Sequence, residues 1–219
     1  METLAFILHN LPAIGERTVE HVSIVSVAVG IAIMTGVPLG IAITQSQRTA
    51  DTVLYLGSIV MTIPSIALFG VLIPLLSKIG QGIGYLPAVI AAALYAQLPI
   101  VRNTYTAIRN VDPALRSAAI GMGMSTSQRL MRVEIPIALP VIIAGVRVAV
   151  VINIGVTAIA AYIGAGGLGT FISRGISQTD VRQLITGALA LALLAIAADY
   201  LLLWLQRRLT PKGSAPRVA

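Results

Sequence analysis

The amino-acid sequence predicts an all-α integral membrane protein that crosses the bilayer five times, and three observations carry the prediction. First, 57% of the 219 residues are hydrophobic, only 11% are charged, and the mean hydropathy is +0.91. A soluble domain is typically about 25% charged; so few charges cannot cover an apolar core, and lipid must solvate much of the surface. Second, the charges are segregated. None occurs in Val22–Gln47, Thr52–Ser77 or Ile79–Val101. Each run exceeds the roughly 20 apolar residues that a spanning helix requires. Third, Lys and Arg sit between the runs with a bias. With the N-terminus outside, ten lie in inner segments and four in outer ones, which is the distribution that sets an N-out, C-in orientation.

The elements follow in order. Residues 1–19 are expected as an extracytoplasmic or interfacial segment, because the apolar part, roughly 3–14, is too short to span. No secretory signal pattern is seen: Met1–Asn10 lacks a basic region and no polar domain follows. The spans are expected at about 20–43, 54–77, 86–106, 137–160 and 183–206, within a transmembrane domain of 20–208. Arg147 interrupts the fourth and Asp199 the fifth. Pro38, Pro64, Pro74 and Pro99 fall in or near spans, either as ordinary bundle packing or as breaks along a wet path. Tyr55, Tyr105, Tyr200 and Trp204 fall near inner ends and Tyr85 near an outer end, as an interfacial belt requires. Residues 209–219 read as a polar cytoplasmic tail.

Several functions are excluded by composition. There is no Cys, and the two His, His9 and His21, are both near the N-terminus, so no metal site is expected. The net charge of +7 reports topology and not nucleic-acid binding, since the basic residues are dispersed between apolar runs. The spans are read as holding one Arg and one Asp and no His, Glu or Lys, too little for a membrane-embedded enzyme. A self-sufficient channel or secondary transporter is a remote alternative, because ion coupling usually needs intramembrane carboxylates.

The informative stretch is the loop at 107–136, long for a connection between bundled helices. Asp112 caps a helix with Pro113 at its first position, and Ala114, Leu115, Ala118 and Ala119 give it a small apolar face. Gly121 and Gly123 end it. Ser125 caps a second short helix, with Gln128 in the capping-box position, and Pro136 and Pro140 set the return to the membrane. Such a helix either docks in a groove of a soluble partner or lies on the membrane surface.

The run Ser117-Ala118-Ala119, three residues, Gly123, nine residues, then Val133-Glu134-Ile135-Pro136 resembles the EAA loop of permease subunits of bacterial ATP-binding-cassette importers. Ser117 departs from that pattern, standing where Glu is usual. The resemblance extends from about Thr18 to Arg208 and implies a five-span type I importer permease bundle with a cytoplasmic coupling-helix loop. The stretch Val133–Arg147, then Asn153-Ile154-Gly155 and Tyr162–Gly169, together with Ile63-Pro64-Ser65, is similar to the osmoprotectant group, which imports glycine betaine, choline, carnitine or related quaternary amines. Permeases for methionine or another amino acid share much of the pattern.

The resemblance implies a bacterial plasma-membrane complex. In it a second permease, identical or related, completes the pathway, ATPase subunits dock on the loops, and an extracytoplasmic solute-binding protein delivers solute. This chain has no Gly-x-x-x-x-Gly-Lys-Ser/Thr, so ATP and Mg are expected on a separate ATPase and no cofactor on the permease. Ser117, Ala118, Ala119, Gly121, Gly123, Glu134 and Pro136 are the expected coupling residues. Asn153, Tyr162, Tyr95 and Arg147 are candidates for the translocation path. Each has a plainer reading: Asn153 bonding a neighbouring helix, Tyr162 as a belt aromatic, Arg147 snorkelling or pairing with a carboxylate such as Glu134. Asp199 reads as an interfacial or inter-subunit contact. The loop Gly164–Gly169 reads as a tight turn or close helix contact near the outer gate.

Overall fold

A computed structural model describes residues 2–210, which are helical apart from turns, with no strand among them. Of the expected tail, residues 211–219 lie outside the described residues. The helices are α1 (Glu2–His9), α2 (Leu11–Ala42), α3 (Gln47–Thr62), α4 (Ser65–Ser77), α5 (Tyr85–Arg109), α6 (Pro113–Gly121), α7 (Thr126–Arg129), α8 (Ile135–Ala160), α9 (Gly169–Gln178) and α10 (Val181–Leu209). Four of the helical stretches, built on α2, α5, α8 and α10, are each long and apolar enough to cross a membrane.

The first span starts earlier than expected. Pro12 sits in the first turn of α2, where a missing N–H costs nothing, and the helix runs for 32 residues from Leu11. At 1.5 Å per residue that is about 48 Å, against a hydrocarbon core of about 30 Å. The polar turns carrying Glu16, Arg17 and Glu20 therefore extend the helix past the apolar layer. A further correction to the expected count of charges follows: Glu20 and His21 belong to this spanning helix and Arg102 to α5, and His21 is fully buried.

The second span is also corrected. Residues 54–77 are not one straight helix; α3 and α4 meet at 95°. Pro64 has no N–H to continue the ladder, and it forces Ile63 into an extended conformation, with φ −69° and ψ 122°. The carbonyl that this break frees, that of Ile63, accepts a hydrogen bond from the Tyr95 hydroxyl of α5.

Tertiary contacts nevertheless give five crossings. Ser23 Oγ of α2 is 3.1 Å from the Tyr85 hydroxyl, and Thr35 Oγ1 is 2.6 Å from Gln97 Nε2, so α2 and α5 run parallel. Two parallel helices in sequence require the chain between them to return across the layer. The α3–α4 pair and the turn after it make that return. Tyr105 at the far end of α5 donates to Gln47 at the start of α3, 3.0 Å away, which closes the corner where α3 begins. The helix α8 runs antiparallel to α2, with His21 Nε2 donating to the Ile154 carbonyl at 3.1 Å. Next, α10 runs antiparallel to α8, with Gln206 Nε2 donating to the Pro140 carbonyl at 2.9 Å. The start of α2 and the end of α10 thus lie on opposite faces.

The helix α5 is the central one. Ala88, Ala91, Ala92 and Ala96 are 0–1% exposed, and these small side chains let α2, α4 and α8 close around it.

Candidate functional site

The 107–136 loop folds as its capping signals predict. The Asp112 carboxylate accepts from Ala114 N at 2.8 Å and Pro113 opens α6. At the other end Gly123 N donates to the Ile120 carbonyl at 2.9 Å and Met124 N to the Ala119 carbonyl at 3.1 Å. That pair of bonds is a Schellman cap, and it needs the left-handed backbone that Gly123 supplies at φ +77°. Ser125 and Gln128 form a reciprocal capping box, at 3.3 and 2.9 Å, to open α7.

The loop's faces are now distinct. Ser117, Ala118, Gly121 and Gly123 are exposed, beside Leu115, Ile120 and Met122, which are 45%, 57% and 69% exposed. Ala119, in contrast, is 1% exposed and faces inward, so it is not part of the outer apolar face expected from the sequence. Between α7 and α8 lies a single π-helical turn, Leu130–Glu134, in which Ile135 N reaches back to the Leu130 carbonyl. Pro136 follows at once; its absent N–H and its ring favour the wider turn over a regular one. Glu134 ends the turn, buried, with its carboxylate 2.9 Å from Arg129 Nε and 3.3 Å from Arg116 Nε.

The four candidates for the path do not converge. Tyr95 is buried with its hydroxyl on the α3–α4 break. Tyr162 is half exposed on a 3-10 turn at the opposite face from the loop. Asn153 is fully buried on α8; its amide donates to the Ala149 carbonyl of the same helix at 2.9 Å and its Oδ1 has no partner. Arg147 pairs with Asp199 at 2.6 Å and reaches Gln206 at 3.4 Å. The expected partner Glu134 is therefore wrong for Arg147: its side chain points along α8 towards α10, whereas Glu134 turns to the loop arginines. Asp199 is accordingly an intrachain contact. A groove of about 500 Å³ between α2, α8 and α10 is lined by none of the four, and its walls are apolar apart from Ser26.

At the face opposite the 107–136 loop the glycine loop makes both a tight turn and a close contact. Gly167 N donates to Glu20 Oε2 at 2.8 Å, and Arg17 holds the same oxygen at 2.8 Å. A side chain on Gly169 would meet the Ala158 carbonyl at 2.0 Å. Between α9 and α10, Asp180 caps α10, and its hydrogen bond from Arg182 holds its carboxyl down at about 2.

Two sets of polar residues were not singled out by sequence reasoning. His21 Nδ1 and Thr157 Oγ1 join Asn153 Oδ1 as fully buried polar atoms without a partner. The Thr35–Gln97 pair borders a second groove between α2, α3 and α5. An apolar run with a single polar residue does not say which neighbour that residue meets; only their positions along parallel helices could have hinted at the pair.

Comparison with known proteins now bears on these features. The family described as binding-protein-dependent transport system inner membrane component matches residues 36–213. The chain belongs to this family. It is thus a multi-pass membrane component of a transport system and not itself an enzyme. The permease is 55% identical, over 97% of its length and 99% of the relative's, to the osmoprotectant import permease protein OsmW of Salmonella typhimurium. It is 40% identical, over 90% and 88%, to the choline transport system permease protein OpuBB of Bacillus subtilis. It is 39% identical, over 97% and 95%, to the glycine betaine/carnitine/choline permease OpuCB of the same organism. Its fold is similar to that of a chain in the inward-facing MetNI methionine ABC transporter. There the TM-score is 0.82 at 22% identity, covering 90% of this chain and 96% of that one.

Proposed function

We propose that this permease is the membrane-spanning subunit of an ATP-driven, binding-protein-dependent importer of osmoprotectants, namely glycine betaine, choline, carnitine or related quaternary amines. The 55% identity with the osmoprotectant import permease, over nearly the full length of both chains, carries this reading. ATP and Mg are bound by separate ATPase subunits that dock on the 107–136 loop from the cytoplasm. A solute-binding protein delivers cargo at the outer face, where the glycine loop and Tyr162 stand. A second permease, the same or related, completes the path. The N-terminus is outside and the C-terminus cytoplasmic, because the loop carrying Arg109, Arg116, Arg129 and Arg132 is then inside.

In this reading Ser117, Ala118, Gly121 and Gly123 present the docking surface, and Glu134 and Pro136 pass its displacement into α8. Asn153, Tyr95, Tyr162 and Arg147 act in the path or hold its walls. The test is uptake by the permease reconstituted in liposomes with its ATPase and binding protein. ATP-dependent accumulation of a quaternary amine, with methionine not accumulated, is the expected result. Accumulation of methionine alone overturns the substrate class, and a lack of any ATP-dependent accumulation overturns the importer reading.

A further inference from the structure

The loop is joined to two spanning helices by apolar contacts of Leu130 with the Ala107–Ile108 and Ala138–Ile142 cluster and by one buried carboxylate, which is the loop's ionic link to them. Glu134 is 5% exposed, sits at the end of the π turn, and leads directly into α8. Its Oε1 accepts a hydrogen bond from Arg129 Nε of α7 at 2.9 Å and forms an ion pair with Arg116 Nε of α6 at 3.3 Å, a contact without hydrogen-bond geometry. Arg116 in turn donates through Nη2 to the carbonyl of Ile108 in the last turn of α5, at the negative end of the helix dipole. A single carboxylate thus bridges α6, α7 and α8, and its arginine partner bridges to α5. A buried carboxylate with one oxygen shared by two guanidinium groups is costly to strip of a partner, because the charges left behind are out of water.

We infer that Glu134, Arg116 and Arg129 form an ionic clasp that makes the loop and the inner ends of α5 and α8 move as one rigid body. Glu134 is the positioning residue: it touches neither solute nor nucleotide and acts by holding the two arginines. In this chain the carboxylate that organises the loop comes from the π turn, while Ser117 on the exposed face is free to meet a partner. The proposal rests on the reading of the chain as an ATPase-coupled permease and adds the device that carries displacement from the loop to the spans.

The chain has no Cys, so paired spin labels can be placed cleanly on the permease before it is assembled with its partners. Labels at Ala114→Cys on α6, outside the residues assigned to the docking surface, and Val141→Cys on α8, both exposed, report the loop against α8. The expected result is one narrow distance, unchanged between the nucleotide-free and the vanadate-trapped complex, that broadens in Glu134→Gln. A distance that shifts between the two states of the unsubstituted clasp, or that stays narrow in Glu134→Gln, overturns the rigid-body inference.

Uptake supplies the second readout, and its variants do not all depend on Glu134→Gln inserting. Arg116→Gln and Arg129→Gln are each expected to lower uptake by about twofold to thirtyfold, the range of a coupling residue. The variant with all three side chains changed to Gln is expected to transport better than Glu134→Gln alone, since no buried charge is then unpaired. Multiplicative, independent losses overturn the clasp. If the parent complex accumulates no quaternary amine, the substrate reading fails, while the label distances still decide the rigid-body inference.

Discussion

Glycine to alanine at two positions of α8 is predicted to act with opposite signs. A Cβ built on Gly145 lies 2.5 Å from the Asn103 Cβ and 2.9 Å from the Pro99 carbonyl oxygen, both on α5. Carbon atoms pack at about 3.5–4.0 Å, so α5 and α8 must part by about 1 Å to admit the methyl group. Neither contact is the tip of a flexible side chain, so nothing local can yield. Overpacking of this kind costs about 1–3 kcal/mol. On the same helix, a Cβ on Gly155 meets nothing within 4 Å. There the only change is helix propensity, which favours Ala by up to about 1 kcal/mol. Thermal unfolding of the purified permease, followed by size-exclusion of the surviving fraction, measures both. Gly145→Ala is expected to lower the midpoint and Gly155→Ala to hold or raise it. Equal midpoints for the two variants would refute the claim that the α5–α8 approach is set by contact at Gly145.

Gly123→Trp is predicted to insert in the membrane but to uncouple uptake from ATP hydrolysis, because the Schellman cap needs φ +77° and a bulky residue resists it. Normal uptake by an assembled Gly123→Trp complex would dismiss the coupling role of that turn. Asp199→Ala leaves Arg147 without its 2.6 Å partner and is expected to destabilise by roughly 1–3 kcal/mol, with part regained when Arg147→Ala is added. A double variant no more stable than Asp199→Ala, on the same unfolding assay, removes that pair from the account of α8–α10 packing.

What the sequence by itself determined is the part governed by local physics and by solvent. Runs free of charge mark the membrane helices because an uncompensated charge in hydrocarbon is expensive, and α5, α8 and α10 lie where those runs predict. The loop helices were legible down to their caps, because Asp112-Pro113, Gly123 and Ser125–Gln128 act on backbone groups only a few residues away. The break at Pro64 was visible as a proline, yet its 95° angle was not, since the angle depends on how α4 packs against α5 and on Tyr95 reaching the Ile63 carbonyl.

Only the tertiary structure decided which charges meet. Glu134 and Arg147 are separated by 13 positions on one chain and looked like possible partners. Side chains that far apart on a helix, with a π turn between the loop and α8, leave on different sides and at different depths. Glu134 therefore finds Arg116 and Arg129 in the loop, and Arg147 finds Asp199 across the α8–α10 contact. The same holds for His21, which composition places near the N-terminus and the fold places in the core against Ile154. Hydropathy reports the preference of each residue for lipid or water. It contains no term for the identity of the neighbour, and in a bundle of parallel and antiparallel helices that identity is set by crossing, depth and rotation together.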